Sequence, residues 1–218
     1  MRLLLIRHGQ TPANVCGVLD AVVPGPGLTE LGHRQAAALP EALAGRGIER
    51  IFASTMVRTQ VTAAPLAAAL GLEPEVLPGL REIEAGDYQG KTDRVSVQGY
   101  LAAAHAWTEG DLDTRMPGAE DGHDFFGRYD DAIARIEASG ADVVAAFSHG
   151  AAIRIWASVT AQNTPNDLGT KRHLENTGIV ELEGSTADGW RLVDWAGEPF
   201  GGDELVDHAA QDPTGERF

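Results

Sequence analysis

The chain has 218 residues, 43% of them hydrophobic, enough to bury a substantial core in one domain. Its net charge of −15, from 32 acidic against 17 basic residues, disfavours nucleic acid or an anionic membrane surface as a partner. The single cysteine, Cys16, excludes an internal disulfide framework, no apolar run is long enough to span a membrane, and Met1-Arg2-Leu3-Leu4-Leu5-Ile6 turns polar too soon for a signal peptide, so a cytoplasmic protein is expected.

Residues 2–6 form the short apolar run of a buried parallel strand, and the run ends on Arg7-His8-Gly9. Ligand sites in open α/β sheets lie at such strand ends. Residues 9–28 hold three prolines and four glycines without a sustained period, and read as a loop that folds over a site. Thr29 is a candidate cap for a helix running to about residue 44, kinked or broken at Pro40. Residues 48–53 predict a second strand and 57–70 a second helix closed by Gly71, and two such units in succession predict a right-handed crossover. A shorter strand over 73–77 follows, then a segment over 91–118 in which only 97–107 has a helical pattern.

A helix over 121–139 leads into a second clean apolar strand, 142–147, which ends on Ser148-His149-Gly150 before a helix over 151–159. Residues 178–182 and 190–195 predict a hairpin. The expected fold is a three-layer α/β/α sandwich with a mostly parallel central sheet, one domain over 1–200. The acidic stretch 201–218 is expected to be a poorly ordered tail.

Two histidines thus follow two apolar strands, each with a glycine behind it, and parallel strands bring both ends to one edge of the sheet. Singly, a histidine at a strand end is more often a structural hydrogen-bonding residue than a catalyst; the pairing of His8 with His149 favours a site. An anionic substrate would need local cations within so acidic a chain, and Arg7 and Arg58 are placed to supply them, although Arg58 also reads as a solvated surface residue.

Taken together, Leu5-Ile6-Arg7-His8-Gly9-Gln10-Thr11 with Asn14, Leu28-Thr29-Glu30-Leu31-Gly32 with Gln35-Ala36, Ala53-Ser54 through Arg58, Leu80-Arg81-Glu82-Ile83 and Phe147-Ser148-His149-Gly150 resemble the histidine phosphatase superfamily, the phosphoglycerate mutase-like proteins, from residue 2 to about 176. The resemblance implies His8 as the nucleophile that becomes a phosphohistidine, Glu82 as proton donor to the leaving group, and His149 with Arg7 and Arg58 on the phosphoryl oxygens. It further implies Gln10, Thr11, Asn14 and Asn176 as neutral contacts to phosphate or substrate, residues 91–121 as a substrate lid, no metal and no cofactor, a small phosphorylated metabolite as partner, and allows a homodimer.

Where many relatives have Gly-x-Trp-Glu-Gly, this chain has Gly86-Asp87-Tyr88-Gln89-Gly90, and the lid segment shows few cations beyond Arg94 and Arg115. A second phosphate is poorly provided for, which favours a phosphomonoester hydrolase over a phosphoglycerate mutase. A catalytically silent phospho-ligand module is the rival from another class, and the retained His8, His149, Arg7, Arg58 and Glu82 speak against it. A metal hydrolase lacks any His-x-His or His-Glu-x-x-His ligand spacing. Tyr100, Trp107, Phe125 and Phe126 read either as core or as the mouth of the site.

Overall fold

The computed structural model describes residues 1–207 and 212–215. Six strands form one sheet in the order β3-β2-β4-β1-β5-β6: β1 (Arg2–Arg7), β2 (Arg50–Ala53), β3 (Glu75–Val76), β4 (Val143–Ser148), β5 (Ile179–Ser185) and β6 (Gly189–Ala196). The first four are mutually parallel, and the β5–β6 hairpin adds on antiparallel beside β1. The helices are α1 (Pro12–Val15), α2 (Glu30–Ala42), α3 (Val57–Leu70), α4 (Arg94–Thr108), α5 (Gly122–Glu137), α6 (Gly150–Thr160) and α7 (Leu168–Lys171).

Strand alternation builds the three layers. Leu3 and Leu5 of β1, with Val144 and Ala146 of β4, bury into the larger core under α4, α5 and α6; Leu4 and Ile6, with Ala145 and Phe147, bury into the smaller core under α2 and α3. Apolar residues on both faces are why these strands read as continuous hydrophobic runs. Thr29 caps α2 as expected, accepting from the Gly32 amide, and Pro40 falls in the last turn, where the helix ends soon after it. Gly71 closes α3 in the left-handed conformation.

The segment 91–121 contributes α4, whose Tyr100 and Trp107 are buried beside Phe125, so these aromatics are core rather than a substrate mouth. Of the acidic stretch 201–218, residues 208–211 and 216–218 lie outside the described residues; in the remainder Leu205 and Asp212 are buried against the domain. No helix among the described residues is long and apolar enough to cross a membrane.

Candidate active site

The parallel register that sets Arg7 opposite Ser148 makes His8 and His149 the next residues of neighbouring strands. Their ring centroids lie 5.2 Å apart with planes tilted by 59°. Both are buried, and alternation carries them to the α3 side of the sheet, where Arg58 sits in the first turn. The backbone at His8 is fixed: its N–H donates to Ser148 O (3.1 Å), and its carbonyl accepts from Asn176 Nδ2 (3.0 Å) and the Thr177 amide (3.3 Å). Thr177 has φ of 61°, a strained left-handed conformation for a β-branched residue, held beside the site by these bonds.

Hydrogen bonding assigns both rings. His8 Nδ1 lies 2.8 Å from Gly9 O, and because a carbonyl only accepts, Nδ1 carries the proton and Nε2 keeps its lone pair. Arg58 Nε donates to His149 Nδ1 (3.3 Å), so His149 is protonated at Nε2 and donates to Ser54 Oγ (2.8 Å). Ser54 continues to Thr59 (2.9 Å), and Thr59 donates to Met56 O (2.8 Å). Burial, then Arg58 and Arg7, push His8 well below the ordinary histidine range; burial, then Arg58, does the same to His149. Both rings are therefore neutral near pH 7.

Glu82 is buried at the N-terminus of α6. Its carboxyl accepts from the amides of Ile83 (3.0 Å), Ala152 (2.8 Å) and Ala151 (3.2 Å). Burial pushes its pKa up, and the Ala152 and Ile83 amides pull it partly back. A linked stability effect follows. The native pKa of each histidine lies below its unfolded value of about 6.5, so the stability their neutral forms carry is complete above that pH. It is lost as pH falls, by up to about 1.4 kcal/mol per pH unit for each ring. Glu82 acts oppositely, since its raised pKa lowers stability as pH rises from its unfolded value, so the histidine contribution is read from the comparison of wild type with a histidine variant. Urea unfolding is expected to give a lower free energy near pH ~5 than near pH ~7.5, with a smaller difference in His149→Asn; equal differences in both proteins would refute the assignment.

His8, Thr11, Asn14, Arg58, Glu82 and Thr214 line a cavity of 10 Å³, the room of about one water. Thr11 and Asn14 form a capping box on α1, a short helix the loop reading missed although Pro12 directly after Thr11 is a helix-start signal. Asn14 Oδ1 accepts from the Thr11 amide and hydroxyl, both at 2.9 Å. Arg7, Gln10 and Asn176 do not themselves line this cavity. Arg7 donates to Leu174 O (2.7 Å), Thr214 Oγ1 (3.2 Å) and the Asp212 carboxylate, and with Asn176 it lines a second cavity of 100 Å³. Its Nε has no hydrogen-bond partner among the described residues. Gln10 is turned away from the His8 cavity, accepting from Thr29 (2.5 Å) and donating to Asp207. Asn176 bonds the His8 carbonyl.

Chain packing requires glycine at both Gly9 and Gly150. A Cβ on Gly9 would lie 2.7 Å from Gly32 O, and one on Gly150 2.6 Å from Thr214 O. Three polar neighbours of the site were not assigned from sequence: Asp20, whose carbonyl accepts from Arg58 Nη2 (2.9 Å) and whose carboxylate lies 3.5 Å from Nη1; Ser54, on His149; and Asp212, on Arg7. Ser54 stands four positions before Arg58 within a quoted motif, whereas Asp212 gives no local signal at all.

The sequence pattern of the histidine phosphatase superfamily (branch 1) matches residues 3–197. A PE-PGRS family protein of Mycobacterium tuberculosis is 41% identical over 214 residues, 90% of this chain, which spans 36% of that protein's length. A glucosyl-3-phosphoglycerate phosphatase of the same organism is 30% identical over 210 residues, covering 89% of this chain and 93% of the relative. The solved structure of a mycobacterial glucosyl-3-phosphoglycerate phosphatase in complex with VO3 has a TM-score of 0.75 at 28% identity, covering 90% of this chain and 99% of that one.

Proposed function

The chain belongs to the histidine phosphatase superfamily, and on that premise we propose that it hydrolyses small phosphomonoesters through a phosphohistidine on His8, without a metal ion. The observation carrying this reading is the His8 Nδ1 to Gly9 bond, which leaves the Nε2 lone pair in a cavity shared with Arg58 and Glu82. Nε2 attacks phosphorus as the ester P–O bond breaks, and the Glu82 carboxyl gives its proton to the leaving oxygen. Water then attacks the phosphohistidine, Glu82 takes a proton from it, the P–N bond breaks and phosphate leaves. Arg58, which lines this cavity, and Arg7, whose charge also bears on His8 and whose Nε has no partner among the described residues, are suited to the charge on the phosphoryl oxygens. The dianion arriving beside Glu82 raises its pKa further, toward the protonated form that donates.

The phosphatases among the relatives favour a small phosphorylated metabolite as substrate. Hydrolysis is favoured over mutase transfer because the lining of the His8 cavity offers Arg58 beside the carboxylates of Asp20 and Glu82, an unwelcoming surround for a second phosphate. The test is incubation in EDTA with p-nitrophenyl phosphate, 3-phosphoglycerate and glucosyl-3-phosphoglycerate, assaying phosphate release, phosphoglycerate interconversion and an acid-labile phosphoenzyme. Release with label on His8 is expected. Interconversion without release would make the protein a mutase, and loss of activity in EDTA would overturn metal independence.

At Arg7 an incoming phosphate has a competitor in the Asp212 carboxylate. Burial alone would raise the Asp212 carboxyl, but Arg7 holds it ionised, and Thr214 of the same segment borders the His8 cavity. An anion that reaches Arg7 therefore competes with this carboxylate for it. Asp212→Asn is expected to tighten inhibition by inorganic phosphate or vanadate about tenfold, ~1.4 kcal/mol, by freeing Arg7 from a rival anion. Weaker inhibition in this variant would mean that Asp212 supports Arg7 rather than competing for it.

A further inference from the structure

Glu82 lies on a stretch of chain with no sheet or helix ladder of its own, between the short 3-10 turns Pro78–Leu80 and Gly86–Tyr88. Buried carbonyls in such a stretch need partners from elsewhere. Each carbonyl from Gly79 to Ile83 accepts from a side chain of another element: Leu80 O from Ser148 Oγ (2.8 Å), Ile83 O from Tyr100 OH (3.3 Å), and Gly79, Arg81 and Glu82 O from the Arg128 guanidinium (2.8, 2.9 and 2.9 Å). Arg128 on α5 thus holds three of these carbonyls, including that of Glu82 itself.

The other edge of the fork is braced. Nε and Nη2 of Arg128 donate to the buried Glu120 carboxylate at 2.8 and 2.7 Å, and Glu120 also accepts from the Glu84 amide (2.9 Å), gripping the same stretch from its far end. The Phe125 ring lies 5.1 Å from the guanidinium carbon. The backbone is also pressed onto α5, since a Cβ on Gly79 would lie 2.1 Å from Arg128 O. Five donors in a rigid plane suit this task; a lysine ammonium keeps the charge but cannot span three carbonyls and a carboxylate.

We infer that Arg128, braced by Glu120, is a positioning residue that sets the Glu82 carboxyl for proton transfer; this rests on Glu82 being the proton donor. The carboxyl has two supports, its amide contacts to α6 and its main chain on Arg128. Loosening the second leaves the group buried but shifts its oxygen from the leaving group, and small misplacements of a reacting group have large kinetic effects.

Proton donation matters only when the leaving oxygen is basic, which supplies the test. kcat/KM is measured for wild type, Arg128→Lys and Glu82→Gln across aryl phosphates from p-nitrophenyl phosphate, whose phenolate departs without a proton, to p-methoxyphenyl phosphate, which needs one. Arg128→Lys is expected to lose about tenfold or more on the p-methoxyphenyl ester and less than about threefold on the p-nitrophenyl ester, with Glu82→Gln showing the same gradient more steeply. A uniform loss in Arg128→Lys beside a graded loss in Glu82→Gln would overturn the positioning role and leave Glu82 standing. A flat profile in Glu82→Gln would remove the proton donor itself. Should Arg128→Lys not fold, Glu120→Gln, which keeps the guanidinium and weakens only its brace, is read the same way: a graded loss supports the role and a uniform one overturns it.

Discussion

His8→Ala is expected to lower kcat/KM for p-nitrophenyl phosphate on the order of 10⁵-fold and to abolish the acid-labile phosphoenzyme, with the fold intact. Among the described residues of the site, no other imidazole can stand in. His149 is the nearest imidazole, but its Nδ1 faces the Arg58 Nε donor and its Nε2 proton is engaged by Ser54, so neither nitrogen offers a free lone pair to phosphorus. The fold should tolerate the change because the His8 ring hydrogen-bonds to the carbonyl of the very next residue, a local contact worth about 1 kcal/mol. Losing a buried ring that must stay neutral also removes one source of acid lability. The measurement pairs turnover and acid-quench labelling with thermal unfolding. Phosphoenzyme persisting in the alanine variant would move the nucleophile away from His8.

What the sequence made legible follows from physics that is local along the chain. Residues 2–6 and 142–147 are apolar on both faces, so they read as central strands, and the parallel register then brings His8 and His149 together without further information. Thr29 and Gly71 mark helix ends through short-range hydrogen bonds and a left-handed turn, and both do so in the structure. Edge strand β3 was harder: only Glu75 and Val76 pair, both exposed, because an outermost strand has no second neighbour to define its length. The illegible part of the site consists of contacts between distant segments. Asp212 reaches Arg7 across 205 positions, and Arg128 reaches the Glu82 carbonyl across 46. Nothing near an aspartate in a Gly- and Pro-containing acidic stretch announces a buried guanidinium. Asn176, which the resemblance places near phosphate, donates its amide to the His8 carbonyl and, at 3.4 Å, to Asn14 Oδ1, contacts that join positions 162 and more apart in the chain.

Arg58→Met is expected to lower kcat/KM on the order of 10³-fold, because three functions of one side chain are lost together. Its charge faces the cavity in which phosphorus reacts, its Nε fixes the His149 tautomer, and its remaining donors hold Asp20. Without it the Asp20 carboxylate stands unneutralised beside an incoming dianion, so Arg58→Met/Asp20→Asn should recover part of the loss, and the two substitutions should not combine additively. The pH profile separates this from simple damage. After burial, Arg58 is the largest cause depressing His8, so removing it raises the His8 pKa toward its ordinary value. Since His8 attacks only when neutral, the fraction able to react begins to fall at a higher pH than in the wild type. The acidic limb of kcat/KM should therefore shift upward in Arg58→Met, and a limb that stays in place would show that the Arg58 charge is not felt at the nucleophile.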